Sequence, residues 1–196
     1  MSAVLEIGQQ KNLTADEFFY SPLSQNHELI KGEIVPTDFL GTFDGHLLAK
    51  LNLVISDFVR QNKLGITIAN VGFILARNPD TVRGANLAFI SKSRLAYTGI
   101  TEKFYPYAPN FIAEVTSENR PFEKVKERAD EFLQSGTEMV WIINHQRIEH
   151  RSNLTVNILR SDGTTFTVEN DDEVSGENVI EGFKLFASKL LENWLI

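Results

Sequence analysis

Glu114 is the acidic residue of an otherwise apolar run, PNFIAEVTS, at Pro109–Ser117. Phe111, Ala113 and Val115 alternate with Ile112, Glu114 and Thr116, the period-two pattern of a β-strand. A carboxylate between Ile112 and Val115 lies at or near a covered sheet face. Glutamate is rarely buried without compensation. Three partners would supply it: a basic side chain, a hydrogen-bond network or a metal ion. Lys124 and Arg128, one helical turn apart downstream, are the basic candidates for a buried ion pair. A hard cation would instead gather several oxygen ligands and make hydroxide available near neutral pH.

These residues must be positioned by the elements around them. Leu13–Phe19 reads as a short helix with Thr14 as N-cap and Glu17 at the capping-box spacing. His27–Pro36 reads as two strands turning at Lys31-Gly32. Phe43–Asn62 is an amphipathic helix whose stripe is Leu47, Leu51, Val54, Ile55, Phe58 and Val59. Strands are expected at Ile66–Ala69, Gly72–Ala76 and Asn86–Ser91, with a turn at Asn78-Pro79-Asp80. Lys92–Pro109 reads as a loop with some helix. Phe122–Gln134 is helical, and Glu138–Asn144 is a buried-type strand in which Trp141 is core. A hairpin is expected at Leu154–Leu159 and Thr164–Val168, with a closing helix at Phe186–Trp194. His145 and His150 are expected in a turn after the strand, with no assigned role.

The 196 residues suit one domain spanning 1–196, with 1–12 a flexible N-terminal segment. The order of elements predicts an α/β fold, a sheet with helices on its faces and additional antiparallel strands. The absence of cysteine excludes disulfides, thiolate zinc sites and cysteine nucleophiles. The net charge of -7 argues against a strongly basic nucleic-acid surface but leaves room for a local basic cleft. No apolar run is long enough for a membrane helix and no secretory signal opens the chain, so the expected compartment is the cytoplasm. P-loop, GxSxG and HExxH motifs are missing, which leaves nucleotide hydrolysis, serine hydrolysis and zinc-peptidase chemistry without support.

The strings HELIKGEIV, NPDTVRGANLAFIS, PNFIAEVTS, FLQSGTEMVWIIN and NDDEVSGENVIEGFKL, with Phe43–His46 opening the long helix, resemble the Uma-type family of restriction-endonuclease-like proteins. That family belongs to the PD-(D/E)XK nuclease superfamily. The resemblance covers nearly the whole chain from Leu13 and implies a restriction-endonuclease-like mixed sheet flanked by helices. It implies a DNA endonuclease dependent on Mg2+ or Mn2+. Glu114 matches the metal-binding glutamate, with the Val115 backbone carbonyl as a further ligand. Glu28 matches an assisting N-terminal glutamate. His46 matches a recurrent histidine without an assigned role.

Two positions depart from the family pattern. Ala85-Asn86 stands where the family has Pro-Asp, so the metal-binding aspartate is Asn86. Arg128 stands at the helix lysine. Asparagine offers a carbonyl oxygen but no charge. Arginine can grip phosphate but has no proton to release near neutral pH. Lys124 is the nearby substitute lysine, and Asp80 belongs to a turn, away from the motif. The expected function is therefore a PD-(D/E)XK endonuclease with a weakened or lost active site. The alternative is a catalytically dead nuclease-fold module that binds nucleic acid or protein. A homodimer is also expected, with Glu138–Asn144 and the closing helix contributing to its interface.

Overall fold

In the computed structural model the described residues are 12–117, 119–148 and 151–192. The expected flexible segment 1–12 lies almost wholly outside them, as do His150 and Trp194. The elements are α1 (Ala15–Phe19), β1 (His27–Ile30), β2 (Glu33–Pro36), α2 (Thr42–Asn62), β3 (Gly65–Ala76), β4 (Thr81–Ser91), α3 (Lys92–Thr98), β5 (Phe111–Val115), α4 (Phe122–Gln134), β6 (Met139–Ile148), β7 (Arg151–Arg160), β8 (Thr165–Glu169), β9 (Glu173–Ser175) and β10 (Lys184–Phe186). None of the described helices is long and apolar enough to cross a membrane.

Local chemistry accounts for several boundaries. Thr14 and Glu17 form the reciprocal capping box of α1. Lys31 and Gly32 both take positive φ, 50° and 79°, as a tight hairpin turn requires. Lys63 ends α2 in the left-handed conformation at φ 53°. The buried residues of α2 are Asp44, Leu47, Leu48, Leu51, Ile55 and Val59, whereas Val54, expected in the stripe, is 38% exposed.

Eight strands form one sheet in the order β2-β1-β4-β5-β6-β7-β8, with β3 paired to β4. Every pairing is antiparallel except β5 with β6, which α4 connects. One face packs on α2 through Leu87, Phe111, Val115, Trp141 and Ile143. The other packs on α4, where Val125, Ala129 and Phe132 meet Ala88, Ile112, Val140 and Ile142. The alternation in β5 therefore sends Phe111, Ala113 and Val115 to the α2 side and Ile112 with Glu114 to the α4 side.

Four elements differ from their sequence reading. Ile66–Ala69 and Gly72–Ala76 are one strand, in which Asn70 takes φ 55°. Asn86–Ser91 is the second half of an eleven-residue strand. The apolar pattern is broken there by Arg83 and Gly84, whose backbones still pair with β3. His145, expected in a turn, lies within β6, whose hairpin with β7 runs further than its apolar run. Of the closing helix expected at Phe186–Trp194, Phe186 ends strand β10 and Ala187–Leu190 form a 3-10 turn. The strand at Glu138–Asn144 cannot be a free interface, because Met139–Ile143 are buried between β5 and β7.

A fork in the sheet places the site. Because β3 runs along one edge of β4, β1 and β5 share the other edge. β1 pairs there at Val82 and β5 at Leu87–Phe89. Residues Arg83–Asn86 lie between them, without a strand partner on that side among the described strands. Buried backbone groups need hydrogen-bond partners, so side chains must supply them.

Candidate active site

The side chains that fill the fork come from β1, β4, β5, α4 and the turn before α4. Glu114 has 0% relative exposure. Its Oε1 accepts the Asn86 N–H at 3.0 Å. Its Oε2 accepts from Arg120 Nη2 at 2.5 Å and lies 3.8 Å from Arg128 Nε. Asn86 answers across the fork: its Oδ1 accepts from the Val115 N–H at 3.3 Å and from Arg120 Nη1 at 3.3 Å.

The β1 side of the fork is built alike. Glu28 Oε1 accepts the Gly84 N–H at 2.8 Å, while Oε2 accepts from Arg83 Nη1 at 2.8 Å and Arg128 Nη1 at 2.5 Å. Arg128 Nη2 donates to the Gly84 carbonyl at 2.7 Å. Arg83 in turn grips Glu131 with two bonds of 2.7 Å. Carboxylates and a guanidinium thus replace the ladder partners missing at Gly84 and Asn86.

The charges balance: Glu28, Glu114 and Glu131 face Arg83, Arg120 and Arg128. For Glu28, burial opposes ionisation most strongly. Arg128 and Arg83 together outweigh it and hold the carboxyl below its ordinary range. Burial likewise works against the charge of Arg128, and Glu114 and Glu28 overcome it, raising that guanidinium's pKa. Glu28 is therefore a stabilising anion above its unfolded pKa near 4.5, and its contribution is lost as pH falls through the depressed folded value. Glu28→Gln is expected to flatten the acid limb of stability against pH, measured by urea unfolding between pH 3 and 6. An unchanged limb would refute the coupling.

The fork brings together Glu28, Asn86, Glu114 and Arg128, the four residues that the resemblance assigns to catalysis. Val115 enters through its N–H. Lys124 is exposed on α4, and Arg128 is the residue of that face that reaches the fork. Asp80 lies elsewhere: it accepts the Ala15 N–H at 2.7 Å and pairs with Arg77 at 2.7 Å, tying the β3–β4 turn to α1. Arg120, Arg83 and Glu131 are the cluster members that the strand and helix patterns do not single out. Their available signals were slight: Arg83 is a cation inside a strand, Glu131 lies three residues after Arg128, and Arg120 precedes the helix proline.

A separate aspartate–histidine pair lies on the α2 face. Asp44 is buried, and its Oδ1 is 3.2 Å from His145 Nδ1. The imidazole stacks on Phe43 at 4.0 Å between ring centroids. His46, the histidine that the resemblance marks, is exposed on α2.

This donor set does not fit a divalent cation as arranged. A hard cation needs several open oxygens. Both oxygens of Glu114 and both of Glu28 already accept hydrogen bonds, and Asn86 Oδ1 accepts two. Among the described residues no group of three histidine, aspartate or glutamate side chains is arranged to hold a metal.

The architecture is a mixed, mostly antiparallel sheet flanked by helices, with acidic and basic groups gathered at a fork in it, and it matches a nuclease-like α/β fold. Residues 15–188 match the Uma2 family, described as "Putative restriction endonuclease", and the chain belongs to that family. Its structure is similar to that of a protein from Anabaena variabilis described as a "putative nuclease belonging to DUF820". The TM-score is 0.74 at 20% identity, covering 91% of this chain and 97% of the other. No curated protein matches.

Proposed function

We propose that this chain is a nuclease-fold module for DNA in which cation-dependent phosphodiester hydrolysis has been lost. The observation that carries this reading is the closure of the fork: every oxygen of Glu28 and Glu114 is held by an internal N–H donor. Arg128 keeps positive charge where the family resemblance has a lysine, yet it is committed to Glu28 and the Gly84 carbonyl. The case for DNA as the partner is the family's description. A second reading, an active Mg2+- or Mn2+-dependent DNA endonuclease, is favoured by the convergence of Glu28, Asn86, Glu114 and Arg128 at one fork.

Plasmid nicking separates the two. Supercoiled DNA incubated with the chain and millimolar Mg2+ or Mn2+ is expected to stay supercoiled, while fluorescence anisotropy reports binding of a labelled duplex. Multiple-turnover nicking that EDTA abolishes would overturn the proposal in favour of the active endonuclease.

A further inference from the structure

The two oxygens that the family resemblance gives to the cation are the two that Arg120 bridges. Its Nη2 lies 2.5 Å from Glu114 Oε2 and its Nη1 3.3 Å from Asn86 Oδ1. Arg120 is 7% exposed and belongs to neither the sheet ladder nor a helix. It closes a turn with Ser117 through reciprocal backbone bonds of 3.0 Å. The frame around the two oxygens does not depend on Arg120. Glu114 is held by the Asn86 N–H, and Asn86 by the Val115 N–H.

We propose that Arg120 is a built-in substitute for the divalent cation: its guanidinium occupies a latent cation site, and neutralising this one side chain opens that site. This rests on the reading of the fork as closed. A guanidinium serves as counter-charge because it presents several donors in a rigid plane, here spread over one carboxylate and one amide oxygen. Without its charge the cluster carries three carboxylates against the two guanidiniums of Arg83 and Arg128, a net attraction for a cation. A hard ion could then take Glu114 Oε2 and Asn86 Oδ1 and keep water in its remaining positions. Arg128 Nε, buried without a hydrogen-bond partner and 3.8 Å from the same Oε2, limits the affinity.

Manganese alone is the probe, followed by electron paramagnetic resonance of the free ion. Arg120→Gln is the informative variant, because it loses the charge and, ending two bonds short of the guanidinium nitrogens, withdraws its donors from Glu114 Oε2 while staying polar. Arg120→Lys keeps the charge and serves as control. A charge within hydrogen-bonding reach moves an ionic equilibrium by about 1–3 log units, so R120Q is expected to bind one Mn2+ at least about tenfold more tightly than wild type or R120K. Thermal melting with and without Mn2+ should show a rise confined to R120Q. Adding Asn86→Asp to R120Q should tighten binding further by restoring a second carboxylate. Tight Mn2+ binding by the wild type, or a folded R120Q without uptake, overturns the inference. Nicking by the wild type bears on the functional reading, whereas this inference is decided by manganese uptake.

Discussion

Glu114→Gln is expected to destabilise the chain by about 3–5 kcal/mol, the usual cost of removing one member of a buried ion pair. The substitution keeps the shape and one acceptor oxygen. It removes the charge that Arg120 faces at 2.5 Å and Arg128 at 3.8 Å. Both guanidiniums then remain buried with less compensation. For a chain of this size the loss corresponds to a fall in Tm of about 6–20 °C. Urea unfolding measures it directly. The sign discriminates between roles, because a carboxylate kept for an absent cation carries uncompensated charge, and neutralising it would hold or raise stability. An increase in stability would therefore refute the ion-pair assignment. Neutralising Arg120 in the same chain should recover much of the loss, since the two residues interact directly and their effects cannot be additive.

Arg128→Ala should cost a similar amount, roughly 3–5 kcal/mol. Its guanidinium joins the two sides of the fork: it binds Glu28 on β1, donates to the Gly84 carbonyl on β4, and lies beside Glu114 on β5. Truncation leaves the Gly84 carbonyl without this donor and Glu28 with Arg83 as its remaining basic partner. Arg128→Lys should recover part of the stability. One ammonium cannot reproduce a fork that serves a carboxylate and a carbonyl through separate nitrogens. Restoring the family's lysine is thus expected to weaken the fold, and without opening the Arg120 position it should not create cleavage. Unfolding curves of the two variants check the first claim and plasmid nicking checks the second. Wild-type stability in Arg128→Ala would show that this side chain is held ready for a ligand and is not structural.

Glu114 was legible because a charge within a period-two apolar run has few ways to be tolerated. Lys31-Gly32 was legible as a turn, and Phe122–Gln134 as a helix, because backbone sterics and helical spacing act over a few residues. The convergence of Glu28, Asn86, Glu114 and Arg128 followed from the family resemblance. The first half of β4 carries no strand signature in the sequence, because Arg83 and Gly84 interrupt the apolar pattern. Their place depends on the pairing with β3 and on carboxylates from distant segments. The closing helix expected at Phe186–Trp194 meets β10 at Phe186 alone, where pairing of Lys184–Phe186 with Glu173–Ser175 holds the backbone extended, and Ala187–Leu190 follow as a 3-10 turn.

Residue order alone was enough to establish that a buried acid needed an answer, and that it sat on a strand before a helix. Which cation answers it depended on the fold. Glu28 and Arg128 are 100 residues apart, and Arg83 meets Glu131 across 48. Such partners have no common local period, so no spacing rule pairs them. Arg120 is near Glu114 in sequence, yet any of several basic side chains was available on the same stretch. The bridge between Ser117 and Arg120 and the split edge of β4 select it, because together they bring its guanidinium to the Glu114 and Asn86 oxygens.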